Sequence, residues 1–449
     1  MTIFNIPVFV INLKIRTDRK LHILREFSGK KEFQVEIIEA CEHEVGAIGL
    51  WNSIKHILQN LTKKEDDFII LCEDDHQFTE MYSREILCRS IVEAKRMNAD
   101  IILGGVSWMN SMLYVSENIY WVEKFSGLQF TVVFRKFFDK ILEAEFTAYD
   151  AADYKISDLT QDKFFIFPFI SIQKGFSYSD VTPKNNLEGR VSELFEKTCE
   201  RAKIVDKVKD FYDTTDHPFE AINVNDLGNL TIPTYIINLP EQAENRAHIE
   251  AQFAGRDEFE VSLVDACKHQ VGAVDLWLSI RKIVQMAIEN DDDVIAICED
   301  NHEFTANYSK EVLLTHILEA YRQGIDFLSG GSSGFGFAIP VTKNRFWISE
   351  CLSTQFLIVY RNFFQKLLDE PYDDNTDANI LISEVTPNKM LIYPFISVQS
   401  DFGNSDIMPV YNSVNGSIDN LFEKSSKRLH YLQDAYIKYQ LSSSDLVCR

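Results

Sequence analysis

The chain has 449 residues, of which 45% are hydrophobic and 25% are charged. This length and composition are typical of a globular protein with two or three domains. Its 45 basic and 68 acidic residues leave a formal net charge of −23, which repels nucleic-acid backbones and anionic lipid headgroups. We therefore expect no nucleic-acid partner.

The N-terminal sequence MTIFNIPVFVINLKIRTDRK has neither the basic n-region nor the small-residue cleavage site of a signal peptide. No apolar run approaches the ~20 residues of a membrane-spanning helix. We therefore expect a cytoplasmic protein without a transmembrane segment, whose membrane association, if any, is peripheral. The eight cysteines form no CxxC pair, and Cys41 and Cys72 lie at the ends of strand-like segments, which favours structural thiols.

Apolar runs and helical spacings alternate along the first part of the chain. The βαβαβ alternation predicts an α/β fold with a largely parallel sheet, and later aromatic-rich strands make the sheet mixed. Ligands of such sheets lie beyond the carboxyl ends of the strands. The predicted elements, in chain order, are strands at 8–11 and 35–38, a helix over 50–61, a strand at 68–72, a helix over 86–94, strands at 101–103, 128–134 and 164–172, and a helix over 191–211.

The sequence repeats itself at a fixed distance. The segment IPVFVINL at 6–13 returns as IPTYIINL at 232–239, a shift of 226 positions. A small length change is expected near residues 145–160, after which the same shift resumes. The shift aligns Cys72, Glu73 and Asp74 with Cys298, Glu299 and Asp300, Trp121 with Trp347, Gln129 with Gln355, Pro168 with Pro394, and Asp180 with Asp406.

Two copies of about 200 residues are too few and too long to be the units of a solenoid. We interpret them as tandem domains at 1–212 and 233–449. The connection at 213–232 is polar and rich in turn residues, as expected of a linker between independently folded units.

The most distinctive local feature is a cluster of acids after an apolar run. Residues 68–72 are apolar, and Glu73, Asp74 and Asp75 follow directly. Hard oxygen ligands of this kind suit Mg²⁺ or Mn²⁺, which can bridge a nucleotide diphosphate. A solvated acidic turn is the alternative. His76 comes next, but no second His or Cys lies at a ligand spacing, which favours a packing or supporting histidine.

Several motifs in fixed order carry a resemblance to a known family. They are VINL at 10–13, a helix start at 46–53, the strand with its acidic cluster, and Gln173 followed by Ser179 and Asp180. In this order the chain resembles glycosyltransferase family 25, the lipopolysaccharide-type and collagen-type sugar transferases, in two tandem copies. It departs from the family in the helix, where Leu50 and Ser53-Ile54 stand in place of a Cys and a Ser-His pair.

The resemblance implies two GT-A-like domains, a UDP-sugar donor, a divalent cation (Mn²⁺ or Mg²⁺) and transfer with inversion. It implies that acidic side chains bind the cation and that a second group of polar side chains, near the first two strands, binds the donor. Arg16 and Arg19 are also consistent with a solvated helix start. The implied metal ligands are Glu73, Asp75 and Asp180, and the implied donor-binding residues are Asn12, Arg16, Arg19, Glu39 and Asp74.

Inverting transfer needs a base that takes the proton from the acceptor hydroxyl. This carboxylate must stand apart from the metal. We predict Asp153 as the base. Asp180 is a second candidate, as the base or as a further metal ligand, and it is also consistent with an aspartate that caps the following segment.

The second copy differs at several of these positions. Asp75 becomes Asn301, while Arg16 and Arg19 become Gln242 and Asn245. The loss of charge predicts a weaker, degenerate site there. Its expected residues are Glu299, Asp300, Asn301, Asp377 and Asp406, with Asp377 in the position of Asp153.

The sequence therefore predicts an enzyme that transfers a sugar from a UDP-sugar to a hydroxyl of a glycan or protein acceptor. The alternative is a tandem module that binds carbohydrate or a partner without catalysis. A nucleotidyltransferase is a third possibility, but it normally carries a glycine-rich, basic phosphate loop near its first strand, and this loop is missing.

Overall fold

The computed structural model describes residues 5–176, 178, 183–213, 230–269, 272–373, 375–400, 402 and 416–441. The chain divides into two compact units. The first consists of Met1–Lys207 with Lys438–Arg449, and the second of Val208–Ile437. Most of the predicted linker lies outside the described residues. Within the described part of the chain, no helix is long and apolar enough to cross a bilayer.

The described residues between 5 and 213 contain twelve strands and six α-helices. The strands are β1 (Ile6–Asn12), β2 (Phe33–Glu39), β3 (Phe68–Glu73), β4 (His76–Phe78), β5 (Ile101–Leu103), β6 (Trp108–Met109), β7 (Met112–Ser116), β8 (Ile119–Val122), β9 (Phe125–Ser126), β10 (Phe130–Phe134), β11 (Lys163–Ile166) and β12 (Ser171–Gln173). The helices are α1 (Thr17–Glu26), α2 (Gly46–Asn60), α3 (Arg84–Arg96), α4 (Phe138–Glu143), α5 (Ala152–Leu159) and α6 (Arg190–Asp213).

The described residues after 230 contain ten more strands and six more α-helices. The strands are β13 (Ile232–Asn238), β14 (Phe259–Asp265), β15 (Val294–Glu299), β16 (His302–Phe304), β17 (Phe327–Ser329), β18 (Ala338–Pro340), β19 (Arg345–Ile348), β20 (Phe356–Tyr360), β21 (Lys389–Ile392) and β22 (Ser397–Gln399). The helices are α7 (Ala243–Phe253), α8 (Gly272–Glu289), α9 (Lys310–Arg322), α10 (Arg361–Asp369), α11 (Ala378–Glu384) and α12 (Ser417–Tyr436).

Each unit is built on an eight-stranded mixed sheet with the same strand order. The first sheet runs β2-β1-β3-β10-β5-β11-β8-β7, and the second runs β14-β13-β15-β20-β17-β21-β19-β18. In the first, β1 is parallel to β2 and β3, and β5 to β11, whereas β10 and β8 run antiparallel to their neighbours. The predicted fold class is confirmed: two α/β domains, each with a mixed, mainly parallel, Rossmann-like sheet.

The central strands determine where the polar side chains of the site lie. All but one residue of β1 are buried, as are four consecutive residues of β3, as expected of strands covered on both faces. Helix α2 packs against β1 and buries Trp51, Ile54 and Leu58. Since β1 and β3 are parallel, their carboxyl ends meet at one edge of the sheet. Glu73 lies beside Ile11, and Asn12 follows at the same edge.

The shift of 226 positions runs without interruption through the region before α5 and α11. Backbone N–H groups of Phe125 and Cys351 donate to the hydroxyls of Ser157 and Ser383, at 3.4 and 2.8 Å. Both members of each pair are shifted by the same number, and the two helices begin at shifted positions. The predicted length change near residues 145–160 is therefore wrong.

A close backbone approach next to β5 gives a test of this packing. A methyl group on Gly105 would overlap the carbonyl oxygen of Ser171 at the start of β12. We expect Gly105→Ala to lower the free energy of unfolding by about 1–3 kcal/mol, measured by denaturant titration followed by circular dichroism. Gly175→Ala is the control, because nothing lies within 4 Å of its added methyl group. Equal stability of the two variants would contradict this packing.

Candidate functional site

A buried carboxylate ties the first helix to the ends of two strands. Asp74 Oδ2 accepts a hydrogen bond of 2.8 Å from Asn12 Nδ2, at the end of β1. Asp74 Oδ1 accepts one of 2.9 Å from Arg19 Nη1, in the first turns of α1. Both oxygens of Asp74 are thus engaged by the protein itself. The contacts place two predicted donor-binding residues, Asn12 and Arg19, at the acidic cluster.

Arg19 is covered by Phe176 and Tyr178, which are distant from it in the sequence. Its Nη2 donates to the backbone oxygen of Tyr178 at 2.7 Å, and its guanidinium lies 4.8 and 4.6 Å from the ring centres of Phe176 and Tyr178. Arg16 lies 4.1 Å from the same Tyr178 ring. Two cations are therefore held beside the acidic cluster, and both Nη atoms of Arg19 are engaged by the protein itself.

The other two acids of the cluster interact unfavourably with their surroundings. Burial, with repulsion from Asp74, raises the pKa of Asp75 to about 7, against the opposing effect of Arg19 at 3.4 Å. The pKa of Glu73 is raised well above its usual range by burial and then by the charges of Asp75 and Asp153. Asp75 Oδ1 is buried without a hydrogen-bond partner among the described residues. The site therefore favours bound positive charge.

Asp153 lies in the first turn of α5 and faces this cluster. Its Oδ2 accepts from the backbone N–H of Gly127 at 3.0 Å, and its Oδ1 from the N–H of Tyr154 at 2.8 Å. Burial raises the pKa of Asp153 despite these two hydrogen bonds. Gly127 has φ of +103°, a conformation that favours glycine, so the turn that holds the carboxylate depends on this residue.

The carboxylate oxygens of the acids at 73–75 are the candidate ligands of a divalent cation. No group of three or more His, Cys, Asp or Glu side chains within the described residues is arranged to hold a metal ion. Asp74 is occupied by Asn12 and Arg19, which leaves Glu73 and the unpartnered oxygen of Asp75. Mg²⁺ is commonly bound by one or two carboxylates together with substrate phosphates. The two remaining acids fit a cation that binds together with a diphosphate.

The remaining predicted residues are placed less centrally or lie outside the described residues. Glu39, at the end of β2, is exposed and pairs with Lys14 at 3.5 Å. Asp180 and Asp406 are outside the described residues. His76 is fully buried, with its ring 4.9 Å from that of Phe130 and its Nδ1 at 2.8 Å from the Ser171 hydroxyl, so it packs in the core beneath the acids.

Sequence reasoning missed three neighbours of the site. Phe176 and Tyr178 cover Arg19 but are separated from it by more than 150 positions, and no local pattern indicates the contact. Leu128 lines a small recess beside Glu73 together with apolar side chains of β1, α2 and β3. Gly127, next to Leu128, does carry a sequence signal for this part of the site, since a glycine between two predicted strands often marks a special backbone conformation.

The second unit keeps the buried carboxylate but exchanges its cationic partner. Asp300 accepts hydrogen bonds from Asn238 at 2.9 Å and from Asn245 at 3.2 Å. Asn245 thus occupies the position of Arg19 with an uncharged amide. The next residue, Arg246, is exposed and pairs with Glu250 at 2.9 Å on the surface of α7. It therefore does not replace the missing cation.

The counterpart of Asp153 is Asn379, and the assignment of Asp377 to this position is corrected. The uninterrupted shift of 226 places Asn379 second in α11, as Asp153 is second in α5. Asp377 instead caps α11, its side chain accepting from the N–H of Asn379 at 2.9 Å.

Hydrogen bonds fill the second site. The Thr354 hydroxyl donates to Glu299 Oε1 at 2.6 Å and lies 2.9 Å from the side-chain amide of Asn379. Thr354 stands where the first unit has Leu128. Burial raises the pKa of Glu299 to about 7, against the effect of the Thr354 hydrogen bond. With Asn301 in place of Asp75, this site holds two acids where the first holds four.

No protein-family model and no curated protein matches the chain. Similar solved structures include A197 from STIV, at 10% identity and TM-score 0.28, covering 38% of this chain and 85% of that one. They also include apo UDP-glucose pyrophosphorylase, at 8% and 0.27, covering 43% and 82%. A glycosyltransferase involved in the glycosylation of the major capsid of PBCV-1 matches at 11% and 0.26, covering 43% and 99%. TM-scores this low carry no functional argument.

The raised pKa of Asp75 predicts a pH-dependent stability. The folded protein binds this proton more tightly than the unfolded chain, so stability is lost as the pH rises from about 4 to about 7. We expect Asp75→Asn to stabilise the metal-free protein by about 1–3 kcal/mol at pH 8 and by far less at pH 5. Urea titrations at both pH values measure this.

The second unit supplies the matched control for that prediction. Asn301→Asp introduces a carboxylate at the equivalent position, where Asn301 Oδ1 is buried without a described hydrogen-bond partner. We expect it to destabilise the protein more at pH 8 than at pH 5, the opposite of Asp75→Asn. A pH-independent effect of both changes would show that the carboxyl of Asp75 titrates normally.

Proposed function

We propose that the first unit transfers a sugar from a UDP-sugar to a hydroxyl of a glycan or protein acceptor, with inversion. One observation carries the proposal. A separate carboxylate, Asp153, is held by two backbone N–H groups and faces the acids at the carboxyl end of β3, closely enough for its charge to raise the pKa of Glu73. An inverting transfer requires this division between a base and a group of acids on the leaving-group side.

The donor side requires positive charge for a diphosphate. Arg16 and Arg19 supply part of it at the start of α1. Glu73 and Asp75 are the residues that would hold Mn²⁺ or Mg²⁺ when the diphosphate is present. A cation there would stabilise the negative charge that develops on the leaving UDP. Asp74 holds Arg19 and the end of β1 in place and is not left with an oxygen for a cation.

Asp153 would act on the acceptor side. Its carboxylate takes the proton of the acceptor hydroxyl as this oxygen attacks the anomeric carbon, and the bond to the UDP oxygen breaks on the opposite face. The N–H groups of Gly127 and Tyr154 fix the orientation of the carboxylate. Burial raises its pKa toward the working pH, which strengthens it as a base relative to a solvated aspartate.

A different function suits the second unit. Asn379 cannot accept a proton as Asp153 can, and Asn245 carries no charge for a diphosphate. The site instead presents amides and a hydroxyl around Glu299, and these groups suit a neutral, hydroxyl-rich ligand. We propose that the second unit does not catalyse transfer and binds carbohydrate.

The cytoplasmic location expected from the sequence stays a prediction.

The role of Asp153 is tested by Asp153→Asn, which keeps the side-chain shape and one acceptor oxygen. We expect turnover, measured as UDP release with a matching acceptor, to fall by at least about 100-fold, while UDP affinity changes less than about threefold. Asp377→Asn is the control, because asparagine is an equally good helix cap. Similar losses from both variants would remove the distinction between the two units.

Joint binding of cation and nucleotide is tested by calorimetry. We expect Mn²⁺ alone to bind weakly and UDP to bind more tightly with Mn²⁺ than with a chelator, since among the acids at 73–75 only Glu73 and Asp75 remain available to the cation. Asp75→Asn should lower the Mn²⁺-dependent affinity for UDP by roughly tenfold or more. Asn301→Asp should leave it unchanged. Equal UDP affinity with and without Mn²⁺ would show that the acids do not bind a cation.

A further inference from the structure

One segment of this acidic protein is strongly basic. Residues 14–31 contain seven basic and two acidic side chains, a local charge of +5 on a chain of −23. The equivalent segment of the second unit, residues 240–257, contains two basic and four acidic side chains, a local charge of −2. The two segments occupy the same place in the fold, around the first helix of each sheet. The difference in charge is therefore not required by the fold.

The basic segment also exposes large aliphatic side chains. Leu21 and Leu24 on α1 are 57% and 47% exposed, and Ile15 just before the helix is 72% exposed. At 3.6 residues per turn, Leu21 and Leu24 lie about 60° apart on the outward side of the helix. Lys20 and Arg25 flank them on either side and are also exposed. We call these four helical residues the basic-apolar face.

Ion pairing does not account for this face. Within the described residues, neither Lys20 nor Arg25 has an acidic partner within salt-bridge distance. The inner side of α1, by contrast, is fully used: His22 and Ile23 are buried, and Arg19 binds Asp74. The second unit shows what an ordinary solvent-facing helix looks like at the same positions. The counterparts on α7 are Arg246, Ala247, Glu250 and Ala251.

We propose that the basic-apolar face docks the protein on a membrane surface that carries anionic lipids. A helix with aliphatic side chains in the centre of its outer face and basic side chains on the flanks matches the interface of a bilayer, with apolar groups among the acyl chains and cations at the headgroups. The overall charge of −23 does not prevent this, because charges more than about 8 Å from the surface are screened at physiological salt.

The position of the face connects it to the site. Arg16, just before α1, and Arg19, in its first turns, flank the acidic cluster, so docking through Leu21 and Leu24 brings that end of the first unit to the bilayer. On the proposed function, the acceptor hydroxyl would then belong to a molecule carried by the same membrane. The binding itself does not depend on that function and is measured without substrates.

The test is co-sedimentation of the full chain with sucrose-loaded vesicles of phosphatidylcholine alone or with 30% phosphatidylserine, an amount at which anionic surfaces attract basic segments strongly. We expect binding to the anionic vesicles only, weakening as the salt concentration rises. The triple variant Leu21→Ala, Leu24→Glu, Arg25→Ala carries the residues that α7 has at these positions. Removing two units of charge, at about fivefold each, should weaken binding roughly 25-fold.

Two controls make the outcome decisive. Unfolding followed by circular dichroism shows whether the triple variant is folded, which we expect because α7 carries the same residues. Turnover with a freely soluble acceptor should be unchanged, since none of the three residues lies at the site. The proposal is overturned if the triple variant binds anionic vesicles as tightly as the original protein, or if the original protein does not bind them. Neither result affects the loss of turnover expected for Asp153→Asn, which tests the proposed function separately.

Discussion

The organisation of each unit depends on one hydrogen bond between a buried amide and a buried carboxylate. Asn12 and Asp74 in the first unit, and Asn238 and Asp300 in the second, join the carboxyl ends of two parallel strands at 2.8 and 2.9 Å. A buried carboxylate is costly unless it is hydrogen-bonded, so this pairing fixes the edge of the sheet in both copies. Everything that differs between the two sites is arranged around it.

The differences all leave the second site with fewer charged side chains than the first. In the first unit the carboxylate is also bound by Arg19, and the neighbouring acids Glu73 and Asp75 have raised pKa values. In the second, an amide replaces the guanidinium, and a threonine hydroxyl satisfies Glu299. The first site therefore holds two acids with raised pKa values and an unpartnered carboxylate oxygen, whereas the second holds fewer acids, and a hydroxyl donates to one of them. This contrast supports different ligands for two domains of one fold.

Much of the fold and part of the site could be predicted from the sequence. The apolar run before Glu73 fixes a buried strand, and parallel strands bring their ends together, so the meeting of Asn12 with the acids follows from local pattern. The contact of Tyr178 with Arg19 could not be predicted, because it joins distant segments through side-chain packing. Asn379 was missed because a nearby aspartate, Asp377, offered a more attractive alignment than the constant shift.

The unpartnered oxygen of Asp75 marks a difference in buried charge between the two halves of the chain. Like charges gathered in a buried place store repulsive energy, which a bound ligand can release. The first unit has this repulsion among four acids, and the second has less of it because amides stand in place of two of them. Functional sites commonly sacrifice stability in this way. The chain thus contains both a frustrated and a relaxed version of one site, and the relaxed copy shows which side chains the scaffold itself does not need.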